Sequence, residues 1–435
     1  MKDRLSKNGL SNFKRYPFQG LSAREWLNLA LLAVAVYYLV KVTMQIYFQN
    51  VYMFLGLDFH SFWSAGWLAN QRGYLAAYDP IQLAEVQYPQ VPKPTDVSQY
   101  QFYPVITFFL PVFLLPFQAL ARIPLTPSFI FWSFINLAGS LVYLFFFSRS
   151  QNLTFGGRQI VLACLFWPFF QSMYLGQIGL ILVVGVGEFL RAFLNSRPYR
   201  AGFWLGVLMI KPQILVLLPL ILFLQGQWKT ILAFGGSAAI LMLISLGMIS
   251  LQGWGEMSHL VDKLFAGYPT TVPIGMVNWR MIGENLSLMG LPAVGWGLTV
   301  SGILLTLVFL ADSLWGRKIN AQNAPLALLG IFAATGLVSW HYHVHSAIVL
   351  LPFYIYLLAK SQIPEKWILS WIVFPGMIML IIDILGLIWR YTHWEFYRYY
   401  PVFLEGSTGL ALSAWTAYRA LRLFKQFPEQ EADIA

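Results

Sequence analysis

The sequence is poor in charged residues. Asp, Glu, Lys and Arg make up only 11% of its 435 residues, whereas a soluble domain carries about 25%. This shortage excludes an ordinary soluble protein. Hydrophobic residues account for 58% of the chain, and apolar runs of about 20 residues, each long enough to cross a bilayer as a helix, recur throughout. No long polar gap separates the runs. The sequence therefore predicts one polytopic membrane domain of the all-α class.

Cysteine is almost absent. The single cysteine, Cys164, lies within an apolar run, so an internal disulfide is excluded.

The formal net charge of +10 does not point to nucleic acid. The basic residues stand at the ends of the apolar runs, where an excess of Lys and Arg is typical of cytoplasmic loops. We therefore expect no nucleic-acid partner. The first apolar run follows a basic stretch and is not followed by a small-residue cleavage site, which favours a retained span over a removable signal peptide.

The positions of the basic residues predict an organisation. We expect a cytoplasmic segment at 1–25, a single transmembrane domain at 26–425 and a cytoplasmic tail at 426–435. Outer-face loops are predicted at 58–103 and 252–290.

About ten full spans are predicted, together with two interrupted segments. The stretch 104–120 is broken by prolines and is predicted to be re-entrant or interfacial, with two ordinary spans as the alternative. The stretch 201–224 contains Lys211-Pro212 in its middle. Because proline interrupts a helix and a lysine inside a membrane is costly, two short helices meeting in a turn are predicted there.

The most specific pattern is the stretch 57–80, LDFHSFWSAGWLANQRGYLAAYDP. Asp58 opens it directly after the first span, at the predicted outer face and at the start of an interfacial helix. A carboxylate placed in this way can remove a proton from an acceptor hydroxyl as a general base. The alternative is that Asp58 only caps the helix.

The predicted topology gathers further polar residues at the same face. Arg280 lies in a predicted outer loop. Lys211 can reach the outer face of the membrane through the break in its helix. A fixed cation stabilises a departing phosphate, so both are candidate phosphate partners. The alternatives are snorkelling of Lys211 to the interface and a solvated loop charge for Arg280.

Three histidines alternate at His341, His343 and His345. Such a run can ligate a metal, but the sequence fixes no acid beside it, and we predict no metal. We expect His341 or His343 to donate to a phosphate or a sugar hydroxyl instead. The alternative is a set of interface histidines that hydrogen-bond to the backbone.

Five elements in order resemble glycosyltransferase family 87, membrane enzymes of the C-type fold that are similar to mannosyltransferases and take sugar from a polyprenyl phosphate. The elements are the pattern at 58–80, Phe102-Tyr103-Pro104 with the prolines that follow, Tyr174-Leu175-Gly176-Gln177, the stretch 201–213 ending in Lys211-Pro212-Gln213, and Ser339-Trp340-His341-Tyr342-His343. The chain departs from the family pattern at Val105, which replaces a proline, and at His345-Ser346, where Tyr-Asp is frequent.

The resemblance implies a C-type glycosyltransferase fold with about 10–13 transmembrane helices and an outer-face interfacial-helix loop. It places the catalytic base at Asp58. The phosphate-binding candidates are then Lys211, Arg280, His341 and His343. The substrate-binding candidates are His60, Tyr103, Gln177 and His345.

The expected activity is the inverting transfer of a hexose, with mannose implied by the resemblance, from a polyprenyl-phosphate donor to a lipid or glycan acceptor. We expect this at the outer face of a bacterial inner membrane, in glycolipid biosynthesis of the cell envelope, without a cofactor. One alternative is a transporter or flippase of a lipid-linked sugar, although such proteins often show repeated halves and no repeat is apparent. The other is a non-catalytic assembly subunit, which would tolerate the loss of Asp58.

Overall fold

The structure is a computed structural model that describes residues 22–48, 52, 54–90, 104–107, 109–265, 272–392 and 400–427. Throughout these ranges the regular elements are helices joined by short turns. The predicted all-α polytopic class is confirmed. Tyr103, most of the proline-rich end of the first outer loop and both chain termini lie outside the described residues.

The α-helices are numbered along the chain. They are α1 Ala23–Tyr47, α2 Leu57–Arg72, α3 Pro80–Gln87, α4 Leu115–Leu120, α5 Leu125–Ser150, α6 Gly157–Leu165, α7 Trp167–Leu175, α8 Gly179–Leu194, α9 Pro198–Val207, α10 Leu218–Leu224, α11 Trp228–Phe265, α12 Trp279–Leu288, α13 Pro292–Leu314, α14 Ala324–Val338, α15 Leu351–Ala359, α16 Lys366–Thr392 and α17 Tyr400–Gln426.

Five of the described helices contain a segment long and apolar enough to cross a membrane. These segments are α1, α5, Trp228–Ile249 of α11, α13 and Lys366–Gly386 of α16. Several of the other predicted spans are shorter helices inside the bundle. The 15-residue α14 is the clearest case, because its residues from Ala324 to Leu337 are all buried. A helix that is apolar on every side belongs in the interior.

Both interrupted segments are helical pieces too short to span. In 104–120 the helical part is Pro111–Leu120, about 15 Å long against a hydrocarbon core of about 30 Å. This favours the re-entrant or interfacial prediction over two spans. In 201–224, α9 ends at Val207, and short 3-10 turns flank Lys211 before α10 begins at Leu218. The predicted break at Lys211-Pro212 is confirmed.

The second outer-face loop contains more helix than the sequence suggests. Its predicted start at residue 252 lies within α11, which continues to Phe265. Gly253 of this extension packs closely against Leu75, and Met257 is buried. Tertiary packing of this kind supplies most of the stability of a protein helix, and two glycines in the local sequence conceal it. The outer-face position of the segment stays a prediction.

One close backbone contact joins the start of α2 to the end of α7. The Gly56 N–H donates to the Tyr174 carbonyl at 2.8 Å. Gly176 ends α7 in the left-handed region with φ +71°, and a Cβ there would lie 2.5 Å from the Cβ of Phe59. The Trp132 indole N–H donates to the Gly176 carbonyl at 2.9 Å. Asp58 and Gln177, which follow these two glycines, are thereby held side by side.

We expect Gly176→Ala to destabilise the protein more than Gly226→Ala. Both glycines have φ +71°, so both substitutions carry the left-handed penalty of about 1–2 kcal/mol. A Cβ at Gly226 meets no heavy atom within 4 Å, whereas at Gly176 it overlaps Phe59, which adds about 1–3 kcal/mol of overpacking. Thermal denaturation in detergent measures the difference. Equal melting temperatures for the two variants would contradict the packing that we describe.

Candidate active site

Asp58, Gln177 and Lys211 form a continuous hydrogen-bonded chain. The Gln177 amide Nε2 donates to Asp58 Oδ2 at 2.7 Å, and Lys211 Nζ donates to Gln177 Oε1 at 3.1 Å. Gln177 and Lys211 are each only 6% exposed, while Asp58 is partly exposed. One amide therefore links a reachable carboxylate to a buried ammonium group.

Each member of the chain is positioned by a helix end. Asp58 is the second residue of α2, where free backbone N–H groups favour a negative charge. Gln177 follows the left-handed Gly176, and its N–H donates to the Ser172 carbonyl at 2.8 Å. Lys211 occupies the break before Pro212, which cannot donate to a continuing helix. Three interruptions of helix thus converge on one point.

Burial sets the electrostatics of Asp58. Partial burial raises the pKa of its carboxyl above the ordinary value, and the Gln177 hydrogen bond and the charge of Lys211 oppose that rise. A carboxylate with a raised pKa binds a proton more tightly than an exposed Asp does. This is the property that a general base for a hydroxyl requires.

The three histidines stand together near Lys211. The ring centroids of His341 and His343 are 4.9 Å apart, and those of His343 and His345 are 5.7 Å apart. Lys211 acts electrostatically on both His341 and His345. The segment carries the histidines on a bend and a 3-10 turn, so they gather by a loop conformation instead of by strand alternation.

Two ring nitrogens of this group lack a hydrogen-bond partner in the part of the chain that the structure describes. They are Nδ1 of His341 and Nδ1 of His345, and both are buried. Burial lowers the pKa of His341 well below its ordinary value, and the neighbouring His343, Lys211 and Arg280 lower it further. A neutral imidazole of this kind can donate to, or accept from, a bound polar group.

Arg280 belongs to the same region, and its interpretation as a solvated loop charge is wrong. The residue is 3% exposed. Its Nε donates to Glu284 at 2.8 Å, and its guanidinium lies 4.2 Å from the ring centroid of Trp340. Its helix is tied to the histidine segment, because the side-chain amide of Asn278 donates to the Ser339 carbonyl at 2.7 Å. Glu284, four residues further along the same helix, therefore neutralises part of its charge.

His60 lies apart from this group. It is two residues after Asp58, which places it on a different face of α2. Its ring is 5.2 Å from that of Tyr52, and burial lowers its pKa to about 4. The structure thus brings together Asp58, Gln177, Lys211, Arg280 and the three alternating histidines, but not His60. Tyr103 lies outside the described residues.

Sequence reasoning missed one further polar cluster. In this cluster Asp383 lies beside Lys41 at 3.5 Å. The signal was the presence of charged residues within apolar runs, which mark functional positions in membrane proteins.

In the chain as described, no three of the His, Cys, Asp and Glu side chains are grouped so that they could hold a metal ion.

Comparison with protein families gives one match. The model of glycosyltransferase family 87 matches residues 108–340, a range that contains Gln177, Lys211 and Arg280. Asp58 and the three histidines lie outside it. Neither the curated proteins nor the solved structures yield a match. The match covers more than half of the chain, and the helices include segments able to cross a bilayer. This integral membrane protein therefore belongs to glycosyltransferase family 87.

Proposed function

We propose that this membrane glycosyltransferase moves a hexose, with mannose as the first candidate, from a polyprenyl-phosphate donor to a hydroxyl of a lipid or glycan acceptor. The observation that carries the proposal is the hydrogen-bonded chain from Asp58 through Gln177 to Lys211. It joins a base to a cation within one small region. Family membership favours transfer over the alternative of a transporter or flippase.

The reaction is a single inverting displacement. Asp58 takes the proton of the acceptor hydroxyl, and that oxygen attacks the anomeric carbon from the face opposite the leaving group. The bond between the anomeric carbon and the phosphate oxygen breaks, and polyprenyl phosphate leaves with the bonding electrons. The acceptor therefore gains the sugar with inverted configuration, and no cofactor takes part.

The charges fit the needs of the leaving group. When Asp58 accepts a proton, its negative charge disappears, and Lys211 loses the anion that opposed its own charge. Burial lowers the pKa of Lys211 to about 7, and a nearby anion opposes that fall. The phosphate, as it becomes more negative, replaces Asp58 as the anion that stabilises the charged form of Lys211. Interactions that strengthen during the reaction are those that accelerate it. Arg280, His341 and His343 are the further phosphate partners that we propose.

We place the site at the outer face of a bacterial inner membrane, with both chain termini in the cytoplasm. Support comes from the basic residues at the other ends of the site helices. Arg158 near the start of α6 pairs with Glu365, which precedes α16. Gln177 lies 19 residues further along the chain, beyond the end of α7. An excess of basic residues marks the cytoplasmic side, so the site belongs to the opposite one.

We expect Asp58→Asn to lower the transfer rate by about 10²–10⁴-fold, because a general base contributes that much. Purified protein is incubated with radiolabelled polyprenyl-phosphate mannose and a lipid extract, and labelled product is counted. The matched control is Asp79→Asn. Asp79 caps α3 by accepting from the Ile81 N–H at 2.8 Å, and asparagine caps a helix equally well. Near-normal turnover by a folded Asp58→Asn protein would contradict the proposed mechanism.

The pH profile of Lys211→Gln tests the electrostatic coupling. The positive charge of Lys211 lowers the pKa of Asp58, so its removal raises that pKa. Because only the ionised carboxylate accepts a proton, the acidic limb of kcat/KM against pH should move to higher pH in the variant.

Lys425→Gln is the control for this experiment. Lys425 pairs with Asp312, far from the site in sequence, and its loss should leave the acidic limb unchanged. An acidic limb in Lys211→Gln at the pH of the native protein would contradict the coupling between the two charges.

A further inference from the structure

A second polar cluster lies between α1, α7, α16 and α17. The Tyr37 hydroxyl donates to Asp383 Oδ2 at 2.6 Å, and Lys41 Nζ donates to the Tyr37 hydroxyl at 3.1 Å. Gln171 Nε2 donates to Glu405 Oε1 at 3.3 Å. Glu405 also acts electrostatically with both Lys41 and Asp383. These five side chains, which we call the lateral cluster, form one connected group on four helices.

The lateral cluster lies far along two spanning helices. Lys41 is about 27 Å along α1 and Asp383 about 26 Å along α16, at the rise of an α-helix. The ion pair therefore joins the two helices at matching depth. Both helices are long and apolar enough to cross the bilayer, and ionisable residues in such segments mark substrate or ion sites by default. The Lys41 side chain is 21% exposed and that of Asp383 is 48% exposed. The cluster is therefore accessible from the side of the helix bundle, at the contact between α1 and α16.

A buried hydroxyl next to the lateral cluster has no partner. Tyr38 is 5% exposed, and its hydroxyl finds no hydrogen-bond partner among the residues that the structure describes. The Glu405 carboxylate acts on this hydroxyl electrostatically, which places the two groups near each other. Buried polar groups are normally satisfied. The hydroxyl therefore marks a position at which a polar ligand would complete the structure.

The charge of the lateral cluster selects the chemistry of the ligand. The one ammonium group, Lys41, is already paired with Asp383, so the cluster has no further cation to offer a phosphate. Carboxylates, an amide and phenolic hydroxyls can accept from and donate to neutral hydroxyl groups. The fitting ligand is a neutral polyhydroxylated group, such as a sugar.

The lateral cluster is linked to the catalytic region through α7. Gln171 directly precedes Ser172, whose carbonyl accepts from the Gln177 N–H at 2.8 Å. Between them, Tyr174 is acted on electrostatically by both Asp383 and Glu405, and its carbonyl accepts from Gly56. A sugar held at the lateral cluster would therefore lie near Asp58.

We propose that the lateral cluster binds the polyhydroxylated headgroup of the acceptor lipid, which enters sideways between α1 and α16. The bound headgroup presents its reacting hydroxyl to Asp58. The presentation of the hydroxyl to Asp58 rests on the proposed function. The binding of the headgroup at the lateral cluster does not depend on it.

The first test measures binding alone. Octyl α-mannoside is the probe, and its contact with the protein in nanodiscs is followed by saturation-transfer NMR. We use Asp58→Asn protein as the background, so that no transfer is needed. Tyr38→Phe should weaken binding about three- to tenfold without loss of thermal stability, since the hydroxyl has no protein partner to lose. Glu405→Gln should weaken it about tenfold or more. Unchanged binding in both variants would overturn the inference, whatever the activity of the protein.

The second test separates acceptor from donor. With polyprenyl-phosphate mannose as donor and octyl α-mannoside as acceptor, Tyr38→Phe and Asp383→Asn should raise KM for the acceptor and leave KM for the donor within about twofold. A rise in KM for the donor alone would assign the cluster to the donor sugar and overturn the proposal. Asp312→Asn is the control, because Asp312 likewise pairs with a lysine across two helices. It should change neither constant.

Discussion

Asp58 and Lys211 are groups of opposite charge that a single amide, Gln177, connects. Taking either charge out of water alone would be costly, and the cost falls when hydrogen bonds and an opposite charge are present. Gln177 serves both needs at once, since one end of its side chain donates and the other accepts. The candidate site therefore depends on the placement of a neutral residue, and that placement depends on Gly56 and Gly176, which let α2 and α7 approach closely.

Elsewhere in this region, too, a buried charged group has partners that offset the cost of its burial. Arg280 is buried against Glu284 and the face of Trp340, and the three alternating histidines lie close together near Lys211. The residues that we propose as phosphate partners are thus positioned by contacts within the protein. Such preorganisation spares the reaction the cost of turning solvent or side chains toward the developing charge. Helix breaks supply the backbone freedom that this convergence requires.

The class of the fold and the residues of the candidate site could be predicted from the sequence. The contacts between those residues could not. Apolar runs and basic flanks sufficed for an all-α membrane protein, and Lys211-Pro212 was enough for a helix break. The contact of Asp58 with Gln177 joins residues 119 positions apart, and no local pattern encodes it. The burial of Arg280 was missed because its partner Glu284 is an ordinary helix neighbour. The extension of α11 to Phe265 was missed because packing against Leu75 overrides two glycines.

The peripheral position of α1 has a consequence for how the enzyme meets its substrates. Most side chains of this helix face outward, and Lys41 and Tyr37 hold it beside α16. An acceptor lipid that approaches between α1 and α16, as we propose, never has to leave the bilayer. Its encounter with the protein is then a diffusion problem in two dimensions, governed by the number of lipid molecules per unit area and by the viscosity of the leaflet. Membrane fluidity, and not aqueous concentration, would set the supply of acceptor.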